Sequence, residues 1–147
     1  MNKKELEALL QAGEFQTVEF MEGFSGKFTT EMVALTNAEG GTIFLGVNDE
    51  NEITGIDITN KLKSKVKDSA RNCDPPVEVE LEEIDSVLAI HIKEGDYKPY
   101  RCSNGFYLRQ GPSSQKLSRD DFHFPEDFDE ERFERYLDRV GSVATPT

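Results

Sequence analysis

The sequence predicts an α+β domain in which a mixed or antiparallel sheet carries flanking helices. Three observations point there. A helical pattern that stops at Gly40-Gly41 runs straight into Thr42 to Val47, a nearly continuous apolar run that suits a strand covered on both faces. Val77, Val79 and Leu81 alternate with Glu78, Glu80 and Glu82. Past Asp85-Ser86, Leu88, Ile90 and Ile92 take one face and Val87, Ala89 and His91 the other, which reads as an antiparallel hairpin. A further hairpin follows around Asn104-Gly105, a two-residue turn between Tyr100-Arg101-Cys102 and Phe106 to Gln110.

The other elements follow in order. Met1 to Gln11 is charged and reads as a short amphipathic helix through Leu6, Leu9 and Leu10, and Thr17 to Met21 as a short strand. After the Gly23-Phe24-Ser25-Gly26 loop, Thr29 or Thr30 caps a helix whose Met32, Val33, Leu35 and Ala38 lie on one broad face. Asn48 to Glu52 is a polar turn, and Ile53 starts a short strand near Gly55. Thr59 or Asn60 caps a helix to about Asn72 with a thin stripe of Leu62 and Val66, ended by Asp74-Pro75-Pro76. Phe106, Leu108 and Gln110 share one face of their strand, and Tyr107 and Arg109 the other. Gly111 to Ser114 leaves as a polar loop, before Ser118 caps a helical turn at 119–122. The domain is therefore expected over 1–122. Residues 123–147 read as an acidic linker and a C-terminal helix with Phe133, Tyr136, Leu137 and Val140 at helical spacing, leading into further domains or simply fraying.

A chain of this length fits one domain with a substantial core. It has no long apolar run and nothing like a signal peptide, so no membrane partner and a cytoplasmic location are expected, with Cys73 and Cys102 as reduced thiols. Twenty-nine acidic against 17 basic residues give a formal net charge of -12, which disfavours non-specific nucleic-acid binding by the whole surface. The cations are nevertheless clustered. Lys61, Lys63, Lys65, Lys67 and Arg71 are offset only by Asp68, and Lys98, Arg101, Arg109, Lys116 and Arg119 have no acid among them. One basic face on an acidic protein is thus expected.

The Glu-Phe at 19 and 20, Thr36-Asn37-Ala38-Glu39-Gly40-Gly41, Leu45-Gly46-Val47-Asn48-Asp49, Gly55 and Tyr107-Leu108-Arg109-Gln110-Gly111-Pro112-Ser113-Ser114 occur in the order seen in the Schlafen-type Alba-like domain. The chain resembles that family over roughly residues 14 to 122. The resemblance implies an Alba-like fold, the N-terminal placement common in transcriptional regulators and RecG-like helicases, and homodimer formation. The family has also been called a divergent AAA ATPase, but Gly40-Gly41 lacks the Gly-Lys-Ser or Gly-Lys-Thr ending of a phosphate loop.

Two candidate sites follow. In nuclease members of the family an acidic cluster comes from a Glu-x-x-x-x-Glu segment and a later Asp. Here Glu14 and Glu19 match, with Asn48 or Asp49 third, so Glu14, Glu19 and Asp49 are the catalytic candidates and, with Asn48, the ligands for a magnesium or manganese ion. Five extended residues span about 16 Å, so Glu14 must fold back to reach Glu19. The family's Lys after Glu-Phe is Met21 here and its first Asp is Asn48, both against a nuclease, and solvated acids are the simpler reading. The second site is basic. Lys61, Lys63, Lys65, Lys67, Arg101, Arg109, Lys116 and Arg119 are candidate phosphate contacts, with Tyr107 stacking on a base, against the alternative of a solvated hairpin face. The leading expectation is a module that binds DNA or RNA. A metal-dependent nuclease, a protein-interaction or oligomerisation module and an ATP-binding domain are the alternatives.

Overall fold

A computed structural model describes residues 1–117. The chain divides into two compact units, Met1–Lys116 and Leu117–Thr147, and the architecture below is that of the first. The expectations for Ser118, Arg119 and the C-terminal helix lie outside the described residues.

The fold is α+β. The elements run α1 (Lys3–Ala12), β1 (Val18–Met21), α2 (Gly26–Asn37), β2 (Gly41–Leu45), α3 (Asn60–Arg71), β3 (Val79–Ile84), β4 (Val87–Ile92), β5 (Arg101–Cys102), β6 (Gly105–Gln110) and β7 (Ser113–Leu117). One sheet has the order β1-β2-β4-β3, with β1 parallel to β2 and the other pairs antiparallel; the second has the order β5-β6-β7.

Alternation along the strands sorts the first sheet into two apolar layers. Met21, Ile43, Leu45, Leu88, Ile90 and Ile92 join Phe28, Met32 and Leu35 of α2 and Leu62, Val66 and Ala70 of α3 in the larger cluster. Val18, Phe20, Phe44, Val87 and Ala89 form the smaller one, which α1 covers with fully buried Leu6 and the flanking Leu9 and Leu10. Helix α2 also packs against β5 and β6, so it is buried nearly all round over residues 31–36.

Several local expectations hold. The side-chain oxygen of Thr59 accepts from the Leu62 N–H and caps α3, and Ile84 pairs with Val87 across the Asp85-Ser86 turn. Gly40 takes the left-handed conformation at the end of α2, at φ 77°, and its N–H reaches the Leu35 carbonyl at 2.7 Å. Three expectations are corrected. Helix α2 starts at Gly26 with Ser25 at its N-cap, because Thr30 turns its hydroxyl back to the Lys27 carbonyl instead of capping. The β5–β6 turn is Ser103-Asn104, since Gly105 already pairs with Cys102 at φ 120°. Ser113–Leu117 is a strand and not a loop, entered through Gly111-Pro112.

Candidate functional site

Two of the segments that carry the family pattern, Glu19-Phe20 and Tyr107 to Ser114, meet around one guanidinium. Residues 107 and 109 of β6 turn toward α2, and Arg109 is 2% exposed. Its Nη1 donates to Glu31 Oε2 at 2.9 Å and Ser114 Oγ at 3.3 Å. Nη2 donates to the Phe15 and Val18 carbonyls at 3.0 and 2.9 Å, and Nε to Phe15 at 3.3 Å. These bonds use all five guanidinium donors. Ser114 in turn donates a short hydrogen bond to the same Glu31 oxygen.

Glu19 completes the cluster. It lies on the α2-facing side of β1, nearly fully buried, with Oε1 at 3.6 Å from Arg109 Nη1 and 3.9 Å from the ammonium of Lys27, a side chain 62% exposed. Its Oε2 is buried without a hydrogen-bonding protein group. Two carboxylates thus share one buried guanidinium, with Lys27 as a second cation at the rim. Such a group of charges leaves water at a cost that its ion pairs offset, and the hydrogen bonds of Arg109 and Glu31 add to them.

The chain does fold back before β1, as the Glu14 spacing requires. Phe15 and Val18 form an antiparallel bridge, and the exposed Glu14 reaches the Phe20 N–H with Oε2 at 3.0 Å. Gln16 clasps the end of β6, donating to the Arg109 carbonyl at 3.2 Å and accepting from the Gly111 N–H at 2.7 Å. Asn37, at the end of α2, donates to the Tyr100 and Tyr107 carbonyls, both at 2.9 Å, and accepts from the Tyr100 N–H at 2.7 Å.

The proposed metal ligands are not assembled. Glu19 is committed to Arg109 and Lys27. Asn48 Oδ1 accepts from the Glu50 and Glu52 N–H groups, both at 2.9 Å, and so closes its own loop, while Asp49 is exposed. Among the described residues no three His, Cys, Asp or Glu side chains come together to hold a metal ion. The donor set does not fit a magnesium or manganese site, which needs several free hard oxygens around one point.

The basic candidates divide in the same way. Arg109 is withdrawn from the surface by the ion pairs above, which corrects its reading as a phosphate contact. Tyr107 packs against the larger core cluster, and its partial burial, then the nearby Cys102, pushes its hydroxyl above the ordinary value of 10.0, so it is not offered as a free stacking face. Arg101 lies over the Phe106 ring at 5.7 Å and donates to the Cys102 carbonyl. Lys63 pairs with Glu83 at 2.8 Å. Lys61, Lys65, Lys67 and Lys116 are exposed and form no ion pair among the described residues.

Sequence reasoning missed Glu31, Lys27 and Gln16. A signal existed for Glu31, a lone acid beside Met32, Val33 and Leu35 on a helix buried on most sides. It missed another row as well. His91, placed by the alternation on one face of its strand, sits between Thr42 Oγ1 at 2.9 Å and Glu82 Oε1 at 2.7 Å, and Glu82 also accepts from the Met1 ammonium at 2.6 Å.

The family model described as Schlafen, AlbA_2 matches residues 14–118. The chain belongs to that family. Glu14, Glu19, Asn37 and Arg109 of this Schlafen AlbA_2 domain all fall inside the match, as do the described strands of both sheets. The crystal structure of the DIP2311 protein from Corynebacterium diphtheriae has a similar fold, with a TM-score of 0.56 at 18% identity, over 91% of this chain and 27% of that one. No curated protein matches the sequence. Among the described residues no helix is long and apolar enough to cross a membrane.

Proposed function

We propose that this Schlafen AlbA_2 domain is a nucleic-acid-binding module of a transcriptional regulator, contacting DNA or RNA phosphates through α3. The observation that carries the reading is the exposed lysines of α3, Lys61 and Lys65 one turn apart on one side and Lys67 on the other flank, left without carboxylate partners among the described residues of a strongly acidic chain. Leu62, Val66 and Ala70 bury one face of the helix, so the lysines that flank it are presented on a fixed support. Lys116, on β7, is a further candidate contact. An ammonium on a rigid helix neutralises phosphate charge and releases condensed counterions without reading base identity.

Fluorescence anisotropy with labelled single-stranded DNA, duplex DNA and RNA at low and moderate salt tests this. A complex is expected at low salt, and Lys61→Ala/Lys65→Ala/Lys67→Ala should weaken it and flatten log K against log salt by about 0.9 for each lost phosphate contact on duplex DNA. No complex at low salt would remove the proposal. A protein-interaction or oligomerisation module would then be the better reading.

A further inference from the structure

The two cysteines are far apart in sequence and come together in the fold. Cys73 follows the end of α3, and Cys102 ends β5. Between these segments the backbone makes one antiparallel bridge, in which Asp74 and Arg101 each donate an N–H to the other's carbonyl, at 2.9 and 3.0 Å. In antiparallel pairing the residue before one partner stands opposite the residue after the other, which sets Cys73 against Cys102. Because Asp74 and Arg101 form the doubly hydrogen-bonded pair, the cysteines, Cys73 at a bend and Cys102 in β5, flank the bridge where the adjoining non-hydrogen-bonded pair of a ladder would fall. Cα atoms there approach to about 4.5 Å. That lies within the range of about 4.4 to 6.8 Å that a disulfide spans.

Burial agrees with the register. Both side chains are 4% exposed and belong to the same apolar cluster. Both are free thiols, with Sγ directed at the Ser69 carbonyl at 3.2 Å and the Gly105 carbonyl at 3.7 Å. Each of those bonds is local to its own segment, so neither ties α3 to β5.

We propose that Cys73 and Cys102 are a dithiol–disulfide couple that, on oxidation by a small peroxide, clamps the end of α3 to β5. The sulfur of one cysteine attacks an oxygen of hydrogen peroxide, the O–O bond breaks, and a sulfenic acid and water result. The second sulfur attacks the sulfenic sulfur, the S–S bond forms, the S–O bond breaks, and a second water leaves with the remaining thiol proton. Two thiols lose two electrons, and one peroxide becomes two waters. Burial, then the neighbouring Cys102, pushes the Cys73 thiol up to about 12. The couple therefore reacts slowly, and small neutral oxidants reach it in preference to large or charged ones.

The test uses the whole chain under native conditions. After incubation with hydrogen peroxide and blocking of remaining thiols in denaturant, mass spectrometry should find the monomer lighter by two hydrogens. Trypsin should release residues 72–93 linked to residues 102–109. Dithiothreitol should reverse the change, and the oxidised form should unfold at a temperature higher by roughly 10 °C. The cross-link should be absent from Cys73→Ser. Both thiols alkylated after prolonged oxidation, a link between two copies, or sulfinic acid at either position in place of the link would each overturn the proposal.

Discussion

A guanidinium whose five N–H groups are all bonded inside the protein has none left for a phosphate. Arg109 therefore acts on the fold, joining β6 to the turn before β1 and to α2. Removing it strands Glu19 and Glu31 as buried carboxylates, so Arg109→Ala should cost about 3–5 kcal/mol, read as a lower midpoint in urea. Arg109→Lys should recover little of that, because an ammonium cannot satisfy three separate acceptors in the planar fork that Phe15, Val18 and Glu31 require. Any change in nucleic-acid affinity should then follow the folded fraction, in contrast to the α3 variants. The alternation of β6 already placed Tyr107 and Arg109 on one face. Which face would be buried was not legible, because Phe106 and Leu108 make the opposite face the more apolar one and the cover is α2, distant in sequence.

At the scale of elements, helix caps and apolar periodicity were readable because they are local. Thr59→Ala, which removes the α3 cap, should cost about 1 kcal/mol in thermal or urea unfolding. Strand β7 escaped notice since Ser-Ser-Gln-Lys-Leu has no apolar alternation, and its pairing with β6 comes from the Gly111-Pro112 turn. The family motifs mostly encode joins between elements, which a sequence does not display. A Cβ at Gly41 would stand 2.5 Å from the Thr17 carbonyl oxygen, where φ is already 157°, so the β1–β2 junction admits only glycine. Gly41→Ala should lose about 3 kcal/mol. Asn37→Ala should lose a similar amount, about 3 kcal/mol, by removing three hydrogen bonds that join α2 to Tyr100 and Tyr107. Chemical denaturation of both variants, at unchanged slope, checks these values.

For the molecule as a whole, charge sets the response to pH. Hydrogen bonds from the Met1 ammonium and then His91 hold the Glu82 carboxyl below its ordinary 4.5, and the Glu82 bond holds the Met1 ammonium above its ordinary 8.0. The stability contributed by Glu82 is present above pH 4.5 and is lost as pH falls through its lowered folded value; that of the Met1 ammonium is present below pH 8.0 and is lost as pH rises through its raised one. Glu82→Gln should therefore lower the melting temperature slightly near neutrality, with the gap to the parent protein closing toward both acid and alkaline pH and shrinking in salt. A homodimer is also expected, since one α3 offers a small basic surface. Sedimentation over a range of concentrations decides it, and a monomer throughout would leave each copy to bind alone.

Strand β1 lies at the margin of its sheet, where bare peptide groups invite a foreign strand. Here Glu14 occupies the Phe20 N–H and Arg109 occupies the Val18 carbonyl. An incoming chain would have to evict a carboxylate and a buried guanidinium before forming its first rung. The charges that tie the domain together thus also act as a guard against sheet extension, and self-association, where it occurs, must use another surface.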